Sequence, residues 1–253
     1  MNTKIAFCSH VSDDWYYSVG ADKLVKSMKY FHPEIPFFLF GDKELNYLFS
    51  LHPNINWNTV NPFVISLLKE KYDIVYHLDA DSMVLGKMDE LLSPSILEYD
   101  VIGVRNNNDI DRAGKDNPIT QGNIPVQKYL NAGLVGVVSD KFLDDWKKNN
   151  IEIANRLPFQ EQSVLNMLCY ESGMYKTLII DPMEANVHYG ISGLYGTSTH
   201  WDSWKNMRLE GENVMLKDKI VKVVHHAGGH NSNKLSFDMF SENIQNRLNE
   251  IVN

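Results

Sequence analysis

Apolar and polar positions alternate between two rhythms along the first half of the chain. Short, nearly continuous apolar runs at residues 4–9, 37–40, 73–78 and 101–104 read as buried strands, and 55–60 reads as another. Between the first two runs, Leu24, Val25, Met28 and Phe31 recur at helical spacing, and residues 62–71 form a helical pattern opened by Pro62. Strand and helix in repeated alternation predict an α/β, Rossmann-like fold, a mostly parallel sheet flanked by helices.

The pattern breaks at residues 105–128, a stretch rich in Asn, Asp, Gly and Pro that reads as a long loop. Residues 133–138 resume as a strand, 141–148 as a helix and 177–180 as a strand. Residues 189–213 are irregular and carry Gly190, Gly193, Gly196, Trp201 and Trp204, which suits a lid, an acceptor site or a packed loop. Residues 221–224 read as a strand ending at His225. Near the end, Phe237, Phe240, Ile244, Leu248 and Ile251 fall on one helical face, expected to dock on its own domain because the helix has too little positive charge for a lipid surface. No internal repeat and no sharp linker divide the chain, so residues 1–253 are expected to form a single domain.

Composition narrows the function classes. The 43% apolar content is enough for a sizeable core. No run approaches the ~20 apolar residues that span a bilayer, and residues 5–8 are too few for a secretory signal. Cys8 and Cys169 make no disulfide framework, and a cytoplasmic location is expected. A net charge of −8 argues against nucleic acid as the partner. It also means that an anionic phosphate ligand needs a local positive charge, which a bound cation supplies.

The candidate chemistry centres on Asp79-Ala80-Asp81. This triplet follows the apolar run of Ile74, Val75, Tyr76, His77 and Leu78 and precedes Met83, Val84 and Leu85. Two carboxylates one residue apart at the end of a buried strand enter one space and suit a hard divalent cation that also holds phosphate oxygens. With 32 acidic residues in 253 such triplets also arise by chance, and Asp109-Ile110-Asp111 reads as a solvated turn.

With this centre, several motifs in order along residues 4–234 resemble the GT-A fold glycosyltransferases, closest to the retaining family 8 group of glycogenin and the lipopolysaccharide galactosyltransferases. The resemblance implies a nucleotide-binding half at 4–104, a sugar and acceptor half at 105–235 and a C-terminal helix at 236–253. It places His10, Ser12, Asp13 and Tyr16, after the first strand, at the base and ribose of the donor. It makes Asp79 and Asp81 metal ligands, with Ala80 and Asp79 beside the nucleotide. Asn131, Ala132 and Gly133 approach the donor sugar, small residues suiting a close main-chain contact. Glu161 and Gln162 take the catalytic position at the sugar and its reacting carbon. His225 completes the metal site, a mixed oxygen and imidazole set that manganese accepts, with magnesium as the alternative ion. Gly228 follows near the diphosphate.

The same resemblance implies transfer of a hexose from a UDP-sugar to a glycan, lipid-linked or protein hydroxyl, with retention at the anomeric carbon. The chain departs from the family at three basic or acidic positions. Asn231 stands where a phosphate-binding lysine is usual, with His230 and Lys234 nearby as substitutes. Val64 and Ile65 stand where a basic residue is expected, and Asn106 replaces an aspartate. Two rivals follow: a nucleotide-sugar binder without activity, and a phosphatase of the haloacid dehalogenase type, whose motif calls for Thr or Val where this chain has Met83.

Overall fold

The structure, a computed structural model, describes residues 3–12, 15–105, 129–157, 159–180, 185, 187–188, 206–226 and 240–253. Its centre is a six-stranded sheet in the order β2-β1-β3-β6-β5-β7. The strands are β1 (Ile5–His10), β2 (Phe37–Phe40), β3 (Ile74–Leu78), β5 (Val101–Arg105), β6 (Leu130–Val137) and β7 (Thr177–Ile180). β1 pairs in parallel with β2 and β3, and β5 with β7, while β6 runs antiparallel to both its neighbours. The expected mostly parallel sheet is therefore present, with one strand reversed.

Strand alternation sorts the sheet into two layers. Ile5, Phe7, Ile74, Tyr76 and Leu78 pack on one face against Leu24 and Met28 of α1 (Trp15–Phe31). Ala6, Cys8, Val75, Val135 and Val137 pack on the other against α3 (Asn61–Lys69) and α4 (Asp140–Glu152). Every residue of β3 and β6 is buried, which is why their sequences are mostly apolar, with His77 and Asn131 as the polar exceptions. A third cluster joins Met83, Val214, Leu216 and Val224 to Ile244, Leu248 and Ile251 of α6 (Glu242–Val252). The terminal helix thus docks on its own chain, Phe240 lying in the same cluster and Phe237 lying outside the described residues. No helix among the described residues is long and apolar enough to cross a membrane.

Three expectations need correction, and one helix is additional to them. Residues 55–60 form turns, not a strand. Asn56 there bonds locally: its Oδ1 accepts from the Asn58 N–H at 2.8 Å, and Thr59 Oγ1 accepts from the Asn56 N–H at 2.8 Å. Such side-chain bonds offer the backbone an alternative to a sheet ladder. α2 (Asp42–Leu51) has no counterpart in the sequence reading; Leu45 and Leu48 are buried, and the Glu44 carboxylate accepts from the Gly41 N–H at 3.1 Å to fasten its start. β6 starts at Leu130, earlier than its sequence start, because the Asn166 carboxamide bonds both the N–H and the C=O of Leu130, at 2.7 and 2.9 Å. Of the stretch 189–213, read as irregular, residues 189–205, with Gly190, Gly193, Gly196, Trp201 and Trp204, lie outside the described residues, and beyond them β9 (Met207–Glu210) is a strand that pairs with β10 (Asn213–Leu216), which in turn pairs with β11 (Lys219–Ile220). The expected loop at 105–128 lies outside the described residues, save Arg105 at the end of β5.

Candidate active site

The site forms at the carboxyl ends of β1 and β3, where an open α/β sheet leaves a crevice. β3 ends at Leu78, and the next residues turn. The Asp79 N–H donates to Gly133 O at 2.9 Å and the Ser82 N–H to Asp79 O at 3.0 Å, which seats the Asp79-Ala80-Asp81 turn against β6. β4 (Ser82–Val84) then pairs antiparallel with β12 (Val223–His225), setting His225 opposite Ser82, and β12 also pairs in parallel with β8 (Val187–His188). The His226 N–H donates to Asp81 O at 2.9 Å and closes the arrangement.

Three side chains converge there. His225 Nε2 lies 3.4 Å from Asp79 Oδ2 and 3.1 Å from Asp81 Oδ1. The three ligand atoms all lie within 4.8 Å of one another. Burial alone would lower the His225 pKa, but the Asp81 and Asp79 carboxylates outweigh it and push it up to about 10. Burial acts to raise Asp79, and the hydrogen bond and charge of His225 overcome that and hold it below the usual carboxylate range. Two carboxylates and one imidazole, buried or half-buried and aimed at one point, fit a divalent cation of the manganese type. Gly133 is part of the fit: a Cβ there would stand 2.4 Å from His225 Cε1. The absent side chain is what lets the imidazole lie against β6.

A cavity of about 530 Å³ opens on this cluster. His10, Val11 and Ser12 line it, as do Asn131, Ala132 and Gly133 and the neighbouring Asp79, Ala80 and Asp81. Glu161 and Gln162, from α5 (Gln160–Asn166), line a further wall. Gln160 holds a left-handed φ of 41° as it leads into these two residues, a conformation that non-glycine residues adopt at a cost. Glu161 is 4% exposed, and its Oε2 accepts from the Asn61 N–H, at the start of α3, at 3.0 Å. Burial and the nearby Asp79 charge raise its pKa well above the ordinary value, against the lowering effect of that N–H. The Gln162 Oε1 accepts from the Ala132 N–H at 3.0 Å, which fixes the orientation of its carboxamide. Asn131 Oδ1 accepts from the Gly133 N–H at 2.8 Å.

The cavity thus gathers His10, Ser12, Asp79, Ala80, Asp81, Asn131, Ala132, Gly133, Glu161, Gln162 and His225, which lie far apart in sequence. Asp13, Gly228 and Lys234 lie outside the described residues, and only the backbone of Tyr16, in α1, is described. The sequence reading missed Trp57, Asn58, Asn61 and Phe159, which also line the cavity. The first three follow or sit in the turn misread as a strand; Pro62, a helix opener, was the available signal that a loop ended there. Val64 and Ile65, at the position where a basic residue was expected, are fully buried in the core and do not reach the cavity. Lys69 instead bonds Asp73 O at 2.9 Å. Among the described residues that line the cavity there is no Lys or Arg.

A mostly parallel sheet whose central strand ends in an Asp-x-Asp turn, faced by a histidine from a separate small sheet, has the GT-A glycosyltransferase fold. The chain matches the bifunctional glycosyltransferase WbbM with a TM-score of 0.57 and 17% identity, over 90% of this chain and 46% of that one. It matches the galactosyltransferase LgtC, solved with donor and acceptor sugar analogs, with a TM-score of 0.52 and 14% identity, over 98% of this chain and 95% of that one. In sequence it is similar to a lipopolysaccharide 1,3-galactosyltransferase of Salmonella typhimurium, 23% identical over 233 residues, which cover 80% of this chain. It spans 66% of that relative's length. No family model matches the chain.

Proposed function

We propose that the protein is a glycosyltransferase that moves a hexose from a UDP-sugar to a hydroxyl of a glycan, lipid-linked or protein acceptor, with retention. The observation that carries the reading is the convergence of Asp79, Asp81 and His225 at a cavity that Glu161 and Gln162 also line. The similarity to a galactosyltransferase supports a hexose donor.

Asp79, Asp81 and His225 would hold Mn2+ or Mg2+, both of which carboxylate oxygens suit. When bound, the cation supplies Lewis acidity to the leaving diphosphate, whose negative charge grows as the anomeric bond breaks. Asp79, Asp81 and His225 are fixed by the turn and by the β4–β12 pairing, so the geometry is prepaid before substrate arrives. His10 and Ser12 meet the nucleotide end, with Asp13 and Tyr16 assigned to the same end by the resemblance. Gly228 and Lys234 are assigned to the diphosphate on the same ground. Asn131, Ala132 and Gly133 bring small groups and main chain to the sugar. Gln162, its carboxamide oriented by the Ala132 N–H, faces the reacting carbon, and Glu161 binds sugar hydroxyls.

The test is UDP release from a panel of UDP-hexoses in manganese, by the wild type and by Asp81→Asn. At least one donor should be turned over by the wild type. Asp81→Asn should lose that turnover while melting within a few degrees of the wild type. Wild-type turnover in Asp81→Asn with metal present would remove the assignment.

A further inference from the structure

His77 is a buried polar group in an apolar layer. It sits in β3, the central strand, paired with Cys8 on one side and Val135 on the other, and is 0% exposed. Its apolar neighbours on that face of the sheet include Ala6, Cys8, Val75 and Val135, none of which offers a side-chain oxygen or nitrogen. An imidazole in such a place costs free energy unless its ring nitrogens are satisfied. Strand alternation puts His77 and Asp79 on the same side of the sheet, and the β1–β3 register brings His10 alongside.

The two ring nitrogens face two different residues that line the cavity. Nε2 lies 3.0 Å from His10 Nδ1, and the rings stack with centroids 5.1 Å apart. Nδ1 has no hydrogen-bond partner among the described residues, and the Asp79 Oδ1 carboxylate oxygen lies 3.8 Å from it. Of the two neutral tautomers, one sets a lone pair against a carboxylate oxygen. The other sets an N–H against it and lets His77 Nε2 accept from His10 Nδ1–H. A shift of under about 1 Å would bring the second arrangement to hydrogen-bond length.

We propose that His77 is a positioning residue: it orients the Asp79 carboxylate for the cation and ties it, through His10, to the nucleotide end of the cavity. The inference rests on the reading of the Asp79, Asp81 and His225 cluster as a cation site. Outer partners of this kind set the direction of a ligand's lone pairs, and their loss weakens metal affinity by about 10–100-fold. His10 and Asp79 line the cavity while His77 does not, so His77 links two cavity residues from behind.

The test compares the wild type with three variants, by titration of Mn2+ followed in solution by electron paramagnetic resonance and by melting in the absence of metal. His77→Phe removes both ring nitrogens. His77→Asn keeps a hydrogen-bonding group where Nδ1 faces Asp79, and His77→Gln keeps one where Nε2 faces His10. The wild type should bind Mn2+; His77→Phe and His77→Gln should weaken it about 10–100-fold. His77→Asn should stay within about threefold, with the metal-free melting of all variants close to the wild type. A merely structural role would lower melting without this split between Asn and Gln. Wild-type affinity in His77→Phe, or equal losses in Asn and Gln, would overturn the proposal. Were His77→Phe to misfold, the Asn and Gln pair alone decides. A wild type that takes up no Mn2+ would instead overturn the cation reading, and the His77 role with it.

Discussion

Gly133→Ala is a small change at the tightest contact of the site. A Cβ at this position would stand 2.4 Å from His225 Cε1, 2.7 Å from His225 Nδ1 and 2.8 Å from Asn131 Oδ1. Carbon atoms rest about 3.5–4.0 Å apart, so the imidazole must move by about 1 Å or more. It has little room, being 3% exposed and held between β6 and the two carboxylates. Metal ligation tolerates about 0.2 Å in ligand distance. The substitution should therefore weaken Mn2+ binding by at least about 10–100-fold, the range that follows loss of an outer partner alone. Overpacking of this kind costs about 1–3 kcal/mol, or about 2–12 °C in metal-free melting for a chain of this size. The matching control is Gly86→Ala, whose Cβ would meet nothing nearer than 3.7 Å and which should leave both readings unchanged. The assay is Mn2+ titration by electron paramagnetic resonance beside thermal melting with and without the ion. Wild-type Mn2+ affinity and wild-type melting in Gly133→Ala would refute the claim that the glycine makes room for His225.

Two further outcomes follow from the same geometry. Trp57 is 39% exposed on the cavity wall, with its ring 6.1 Å from that of His10 and backed by Phe49 at 5.6 Å. If it carries the base, Trp57→Ala should weaken UDP binding by about 5–150-fold, the equivalent of about 1–3 kcal/mol of stacking, read by calorimetry; unchanged UDP affinity would place the ring outside the nucleotide site. His32 is 2% exposed, and its Nε2 accepts from the Met88 N–H at 3.0 Å, so the folded state needs the neutral ring. Burial lowers its pKa below the ordinary 6.5. Below about pH 6.5 the unfolded chain binds the proton that the folded one excludes, so stability falls as pH falls, by at most about 1.4 kcal/mol per unit from this group. His32→Gln, which keeps an acceptor for Met88, should flatten the acid side of a urea-midpoint profile between pH 7 and 5, and an unchanged slope would show that another group carries it.

The sequence made the centre of this fold legible because its strands are buried on both faces. β3 and β6 contain no exposed residue, so their composition announces them. The triplet at 79–81 was readable for the same reason, its carboxylates following a buried, mostly apolar strand. What was hidden depends on side chains bonding to distant or local backbone. Asn166 extends β6 by bonding Leu130 across 36 positions. Asn56 bonds locally to Asn58 and Thr59 and holds 55–60 in turns, and with them went Trp57 and Asn61, which no motif marks. Glu161 and Gln162 were picked out by resemblance; their geometry at the cavity comes from a helix start and a 3.0 Å bond to Ala132 that sequence spacing does not encode. His77 was read as one apolar-run residue among five, because pairing between β1 and β3 is not visible along one strand.

The central claim is that one cavity holds a cation and a uridine diphosphate together. Melting of the wild type with UDP, GDP and ADP, each with and without Mn2+, tests it most directly. A ligand of the native state at ~100-fold excess over its dissociation constant adds ~2.7 kcal/mol, or about 5–11 °C here. The account predicts a rise that requires UDP and Mn2+ together and is absent from Asp81→Asn. No rise with any nucleotide in the presence of Mn2+ would contradict it.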